Sequence, residues 1–226
     1  MINENLVSVV MSVYNSELTI KKSIESILNQ TYKDIELIII EDGSSDNTPF
    51  ICKEYENEHE NVFVYSNNEN IGLTKSLNIG IKKSKGKFIA RQDADDFSEH
   101  HRIKTQIEIM TSDNLDAVSS RARVINSKQV IPNFSYYLPL RYLVKIKNPF
   151  IHGTLLIKRN ISDEAGLYNE KFYYSQDYKL MYDLVSRKHK IKIIKEPLYY
   201  LNMTNNISNV NSQEQKYYAD CVKKNI

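Results

Sequence analysis

Short apolar runs separated by amphipathic stretches set the rhythm of this chain. Residues 6–12 are nearly continuous and Val-rich, as expected of a strand covered on both faces. Asn15 or Ser16 can cap the helix that follows. In it Ile20, Ile24, Ile27 and Leu28 recur at the spacing of one buried face. Residues 35–40 predict a second buried strand, closed by Glu41-Asp42-Gly43-Ser44-Ser45-Asp46. Asp46 or Thr48 can cap the next helix, with Pro49 tolerated in its first turn. Residues 62–65 predict a third strand. Asn70-Ile71-Gly72 turns into a helix with Leu73, Leu77 and Ile81 on one face, and residues 87–92 predict a fourth strand.

This alternation argues for an α/β fold, a mostly parallel sheet with helices on both faces. In such sheets ligands bind beyond the carboxyl ends of the strands. Three strand ends deliver polar groups there: Ser12/Tyr14/Asn15, Glu41/Asp42 and Asp93/Asp95/Asp96. Ser98 can start a further helix with Ile103, Ile107 and Met110 inward. Beyond residue 115 the texture changes. Residues 116–125 predict a strand, residues 129–149 are turn-rich and aromatic, and 155–157 predict another strand. A helix bearing Met181, Leu184 and Val185 follows, then strands at 191–194 and 198–203. No linker separates the halves, so the second is expected to be built onto the first sheet, giving one domain over residues 1–226.

Composition narrows the classes. The 226 residues are 41% hydrophobic and 26% charged, which fits a globular protein, and the formal charge of +2 gives no case for a nucleic-acid binder. Cys52 and Cys221 stand far apart without metal-ligand spacing. No signal-peptide pattern opens the chain and no 18 apolar residues run together, so a cytoplasmic protein is expected. No Gly-x-Gly-x-x-Gly follows the first strand and no Gly-Lys-Ser/Thr loop occurs. A bound nucleotide would rely on side chains and a metal.

Asp93-Ala94-Asp95-Asp96 carries the most chemistry. Acids this close repel one another unless cations or hydrogen bonds hold them, and Mg²⁺ or Mn²⁺ with phosphates would suit them. An isolated cluster also reads as an acidic turn capping the next helix. The other strand ends favour a site.

With these pieces in order, the chain resembles the family-2 glycosyltransferases of the GT-A fold over roughly residues 5–205. The resemblance rests on Val13-Tyr14-Asn15, residues 41–46 and Asn70-Ile71-Gly72-Leu73. It continues through Asp93-Ala94-Asp95-Asp96, Arg102 with Gln106, His152, and Tyr168-Asn169-Glu170-x-Phe172 before Gln176-Asp177. It implies a Rossmann-like sheet whose residues 1–115 bind a nucleotide sugar and whose residues 116–226 bind the acceptor. Ser12, Val13, Tyr14, Asn15 and Ala94 would line the donor, Tyr14 against the base and Asp42 accepting from a base ring nitrogen. Asp93 would stand near ribose or metal, and Asp95 would ligate Mn²⁺ or Mg²⁺. His152 would be a further metal ligand, or face the donor phosphates or the acceptor. Asp177 would be the base that deprotonates the acceptor hydroxyl, in an inverting hexosyl or N-acetylhexosaminyl transfer.

The pattern departs from the family at three points. Val13 stands where Pro is common, Gln176-Asp177 replaces a Glu-Asp pair, and Leu77 replaces an Arg, leaving Lys75 as the cation for the diphosphate. The resemblance implies a UDP-sugar donor and a glycan or lipid-linked acceptor in surface-polysaccharide synthesis, with a peripheral contact at the inner membrane face. The competing readings are a non-catalytic nucleotide-sugar-binding subunit and a sugar nucleotidyltransferase, the latter disfavoured by the missing glycine loop. The basic residues 187–195 read as a solvated edge or as a patch for anionic lipid or a lipid-pyrophosphate acceptor. Of the pairs Tyr136-Tyr137, Tyr173-Tyr174 and Tyr199-Tyr200, the middle one is placed to line the acceptor site and the others read as core.

Overall fold

The computed structural model describes residues 3–133, 137–165, 168–204 and 212–224. The first half alternates as the pattern demands: β1 (Asn3–Val13), α1 (Ile20–Leu28), β2 (Ile35–Glu41), α2 (Thr48–Glu58), β3 (Val62–Ser66), α3 (Leu73–Lys83) and β4 (Gly86–Arg91). Then come β5 (Phe97–Ser98), α4 (Arg102–Ser112), β6 (Ala117–Val124), β7 (Val130–Ile131) and α5 (Leu140–Leu143). A 3-10 turn (His152–Thr154) leads to β8 (Leu156–Lys158), α6 (Arg159–Ala165), α7 (Gln176–Ser186), β9 (Ile191–Leu201) and α8 (Ser212–Lys224).

One sheet runs through the molecule in the order β3-β2-β1-β4-β8-β6-β9-β5, with β7 on the flank of β6. Strands β3, β2, β1 and β4 are parallel, whereas β8 runs against both β4 and β6. The fold is mixed α/β with a mostly parallel centre. Alternation sends successive residues of β1 and β2 to opposite faces, and both faces are covered, so most of these residues are apolar. Val9, Met11 and Ile39 enter a core with α1 and Ile103 of α4. Val10, Ile38 and Ile40 enter a second core with Leu77 and Ile81 of α3 and Leu180 and Leu184 of α7.

Two sequence expectations are corrected. Ser98 does not start a helix; it lies in β5, paired with Tyr199, and the helix begins at Arg102. Its hydroxyl donates to Gln92 Oε1 and its N–H to Ser26 Oγ, so the side chain is already occupied by partners other than a helix end. The two strands read at 191–194 and 198–203 are one strand. The register slips where Pro197, which has no N–H, faces Arg121, and the irregularity absorbs the extra residues. Helices α6 and α8, both rich in polar residues, had no apolar stripe clear enough to be read.

Candidate active site

The carboxyl ends of β1, β2 and β4 meet at one edge, because their registers pair Val13 with Glu41 and Val10 with Arg91. Tyr14 leaves β1 there half-exposed. Asn15 follows in a left-handed conformation (φ 46°), which Asn tolerates better than most residues. Its N–H donates to Ser44 Oγ and its Oδ1 accepts from the Ser45 N–H, tying the ends of β1 and β2 together. Ser12 lies one strand position before Val13 and is partly exposed.

Asp42 is buried and serves the loop before α3. Its Oδ1 accepts from Asn67 Nδ2 and the Ile71 N–H, and its Oδ2 from the Gly72 N–H, all at 2.8–3.0 Å. Three of its four lone-pair positions are used. Its neighbour Glu41, not Asp42, accepts from the Ser44 N–H. Gly72 has φ 93°, and a Cβ there would press on the ring of Tyr173 at 3.1 Å. Tyr173 therefore lies over the start of α3, where Lys75 is exposed in the first turn. The side chains of Val13 and Ala94 are buried in the core, and Val13 O accepts from the Asp42 N–H. Val13 is turned inward by strand alternation and Ala94 by the turn after β4.

At the end of β4, Arg91 is buried and its Nη2 stands 2.5 Å from Asp93 Oδ1. Among the described residues its buried Nε has no hydrogen-bond partner. Behind it, fully buried Arg102 donates to Gln92 Oε1, Ser98 Oγ, Gln106 Oε1 and Arg91 O. Burial draws its pKa down to about 10. The hydroxyl of buried Tyr199 accepts from the Asp93 N–H and bonds the Asp96 carboxyl. Burial and the charge of Asp93 push Asp95 up to about 6. Burial and the charges of Asp93 and Asp95 push Asp96 up to about 8, although it accepts from the Asn202 N–H at 2.6 Å. The cluster is thus held by the Arg91 guanidinium, the Tyr199 hydroxyl and the Asn202 N–H, of which only the first is a cation.

The second half brings Asp177 to the same edge. Ser175, at φ 57°, ends the incoming loop, and Asp177 opens α7, where the helix dipole favours an anion. Asn148 Nδ2 donates to Asp177 Oδ2 at 2.7 Å. The loop before α7 is bolted to α3: Asn78 Nδ2 donates to Tyr168 O and Glu170 Oε1, the Tyr168 N–H donates to Asn78 Oδ1, and Thr74 Oγ1 donates to Phe172 O. Tyr168 OH and His152 Nε2 lie 2.7 Å apart. Burial, reinforced by Arg91, lowers His152, while burial raises Tyr168, and each lies within electrostatic reach of both Asp93 and Asp177. A neutral pair therefore stands among the cationic Arg91 and the two acids.

His152 does not join Asp93 and Asp95 in a ready metal cage. Among the described residues the one set of three His, Cys, Asp or Glu whose ligand atoms all lie within 4.8 Å of one another is Glu99, His100 and His101, before α4. The reason is local: Arg91 holds Asp93 and Tyr168 holds His152 Nε2. What remains at β4 is an all-oxygen donor set, Asp95 with Asp93, which fits a hard cation such as Mg²⁺ or Mn²⁺.

Sequence reasoning passed over Arg91, Asn148, Gly153 and Tyr199. A Cβ on Gly153 would collide with the Tyr199 hydroxyl and come within 2.7 Å of Asp93 Oδ2, so only glycine fits. Arg91, a charge at the end of a buried strand, was the legible signal. Tyr199 is buried as expected, but its hydroxyl serves the acids. Tyr137 is exposed rather than core, since the helix after it buries Leu143 and Val144 instead. Tyr136 lies outside the described residues.

Solved structures define the class: this is a GT-A fold. The chain aligns with Staphylococcus aureus TarS 1-349 in complex with UDP-GlcNAc at TM-score 0.78 and 19% identity, covering 91% of this chain and 61% of that one. It aligns with a mannosyltransferase from Pyrobaculum calidifontis in complex with GDP-Man and Mn²⁺ at TM-score 0.77 and 16% identity, covering 96% and 62%. The chain thus spans under two thirds of those solved chains. The profile of "Glycosyl transferase family 2" matches residues 8–169, and the chain belongs to that family. An uncharacterized glycosyltransferase of Haemophilus influenzae is 33% identical, over 97% of this chain and 72% of its own length. A UDP-Glc:alpha-D-GlcNAc-diphosphoundecaprenol beta-1,3-glucosyltransferase of Escherichia coli is 30% identical, over 79% and 69%.

Proposed function

We propose that the chain transfers a sugar, with inversion, from a UDP-linked donor to a hydroxyl of a glycan or lipid-linked acceptor in surface-polysaccharide synthesis. The reading is carried by the meeting of Asp93, from the acids of β4, and Asp177 at the neutral His152–Tyr168 pair at one sheet edge. Residues 1–115 take the donor, and residues 116–226 supply the acceptor surface and the base at the cytoplasmic side of the membrane. The E. coli relative's UDP-Glc and the UDP-GlcNAc bound to TarS support a UDP donor.

Tyr14 lies against the base, with the remaining lone pair of Asp42 Oδ2 facing the base ring nitrogen. Ser12, Asn15 and the backbone at Val13 and Ala94 line the nucleotide, and Lys75 faces the diphosphate. Asp95 and Asp93 hold Mn²⁺ or Mg²⁺, a choice supported by the Mn²⁺ of the P. calidifontis enzyme. When bound, the metal supplies Lewis-acid stabilisation to the leaving diphosphate. Asp177 takes the proton of the acceptor hydroxyl as its oxygen bonds to the anomeric carbon and the bond to the diphosphate oxygen breaks. Asn148 fixes the carboxylate for that proton, and the His152–Tyr168 pair separates it from the acids of β4 without adding charge.

A thermal-shift screen of UDP-, GDP- and dTDP-sugars, with and without Mn²⁺, tests this. At 100-fold excess over Kd, a UDP-sugar with Mn²⁺ is expected to add about 2.7 kcal/mol, a rise of several degrees, and Asp95→Ala to remove the Mn²⁺-dependent part. A shift with GDP-sugars alone overturns the donor; an undiminished Mn²⁺ effect in Asp95→Ala overturns the metal ligand.

A further inference from the structure

Residues 117–162 contain no Asp or Glu and eight Lys or Arg. The other basic stretch, 187–195, is different. There Lys192 Nζ pairs with Asp113 at 2.7 Å, His189 Nδ1 lies 3.5 Å from Asp116, and Glu196 follows directly. Its Ile193 and Ile194 are buried, so no large apolar side chain is exposed between its cations. The acid-free stretch includes α5 and the turn after it, which are anchored on one side only. Leu143 and Val144 are buried, and Tyr178 OH donates to Val144 O at 2.7 Å. On the other side Leu138, Tyr142 and Ile146 are exposed by 43, 57 and 68%. Exposed Arg141, Lys145 and Lys147 alternate with them, and the Arg141 guanidinium lies 4.6 Å from the centre of the Tyr142 ring.

We infer that this face, residues 138–147, is the surface by which the protein lies on an anionic lipid bilayer. Its chemistry is that of an interfacial contact. Apolar side chains enter the headgroup boundary, a tyrosine keeps its hydroxyl in water, and Lys and Arg reach anionic headgroups along their aliphatic stems. The exclusion of carboxylates over so long a stretch is what a negative surface requires. A protein partner of mixed charge places no such demand. Among the described residues no helix is long and apolar enough to cross a membrane, so the contact is peripheral. The face runs directly into Asn148, which holds Asp177. Docking through it sets the base at the membrane surface, where a lipid-linked hydroxyl would be presented; that last step rests on the proposed function.

Co-sedimentation of the purified chain with phosphatidylglycerol-containing vesicles, and with pure phosphatidylcholine vesicles, tests the surface. Binding is expected with phosphatidylglycerol only, and to weaken with added salt. Arg141→Glu with Lys145→Glu and Lys147→Glu should lower partitioning on the order of 100-fold, about five-fold for each charge removed. Tyr142→Ser with Ile146→Ser should lower it by roughly ten-fold, and Lys188→Glu with Lys195→Glu by less than about two-fold. Equal binding of the triple variant, equal binding to both vesicles, or binding to neither overturns the inference. The shift given by UDP-sugar and Mn²⁺, measured on the same preparations, reads the donor site separately, so the two readings fail independently.

Discussion

Asp93 at the end of β4 and Asp177 at the start of α7 both lie within electrostatic reach of the His152–Tyr168 pair, but the acids at the two places are held in opposite ways. Asp93, Asp95 and Asp96 crowd together within four residues. Burial and mutual repulsion raise Asp95 and Asp96, Arg91 offsets part of the charge, and Tyr199 adds a hydrogen bond. Asp177 stands at a helix N-terminus, with a single amide donating to it among the described residues. The first arrangement is unfavourable until a cation arrives. The second is complete without one. The contrast teaches which group should answer to metal and which to the acceptor.

The largest effect should come from the acid of α7. Asp177→Asn keeps the shape and removes the base, so transfer should fall by about 10³-fold, within the range of general-base catalysis. UDP and Mn²⁺ binding, read by calorimetry, should stay within about two-fold. A loss of nucleotide affinity as large as the loss of rate would place Asp177 in the donor site and erase the contrast.

The crowded acids can be disturbed without touching a charge. Gly153→Ala puts a methyl group against the Tyr199 hydroxyl and the Asp93 carboxylate. Overpacking of this kind costs about 1–3 kcal/mol. Thermal unfolding should show it, and Mn²⁺-dependent UDP affinity should fall by roughly ten-fold because Asp93 is displaced. An unchanged affinity would mean that the metal does not depend on where Asp93 sits.

Much of this difference was legible in the sequence. Strands β1, β2 and β4 are apolar on both faces, so their ends, and the acids there, could be placed without coordinates. Asp177 was reached through its motif. What could not be read were partners far apart along the chain. Tyr199 meets Asp93 across 106 residues, and Asn78 meets Tyr168 across 90. No local pattern records such pairs. Nor does alternation show that Asp42, at a strand end like the others, has most of its hydrogen-bonding capacity committed to the loop before α3. The joining of two strands across Pro197 was hidden for the same reason: the irregularity is a property of the pairing with β6.

A smaller effect tests the support of the acid of α7. Asn148→Ala removes the donor to Asp177, whose partly buried carboxylate can take water in its place. The cost to transfer should be about ten-fold, the low end for a hydrogen bond to a charge, and Asn148→Asp should cost more by adding a like charge. Equal rates for wild type and Asn148→Ala would show that the helix N-terminus alone positions the base.

The smallest effect comes from an acid outside both sets. Asp116 is what a purely structural carboxylate looks like here. Burial works to raise its pKa, but the Lys190 N–H, Lys158 and His189 outweigh burial and hold it below the usual carboxylate range. A folded pKa below the unfolded one contributes stability that is present above the unfolded value and lost as pH falls through the folded one. Asp116→Asn should therefore cost about 1 kcal/mol in urea unfolding at pH 7. The two unfolding curves should converge as the pH falls below about 4, where unfolded Asp itself takes up a proton. Asp95 and Asp96 have the opposite sign, since their folded values lie above the unfolded ones, and a cation rather than alkali should stabilise them. If Asp95→Asn proved destabilising at pH 7 in the absence of metal, as Asp116→Asn should be, the β4 acids would be structural after all and the contrast with Asp177 would lose its basis.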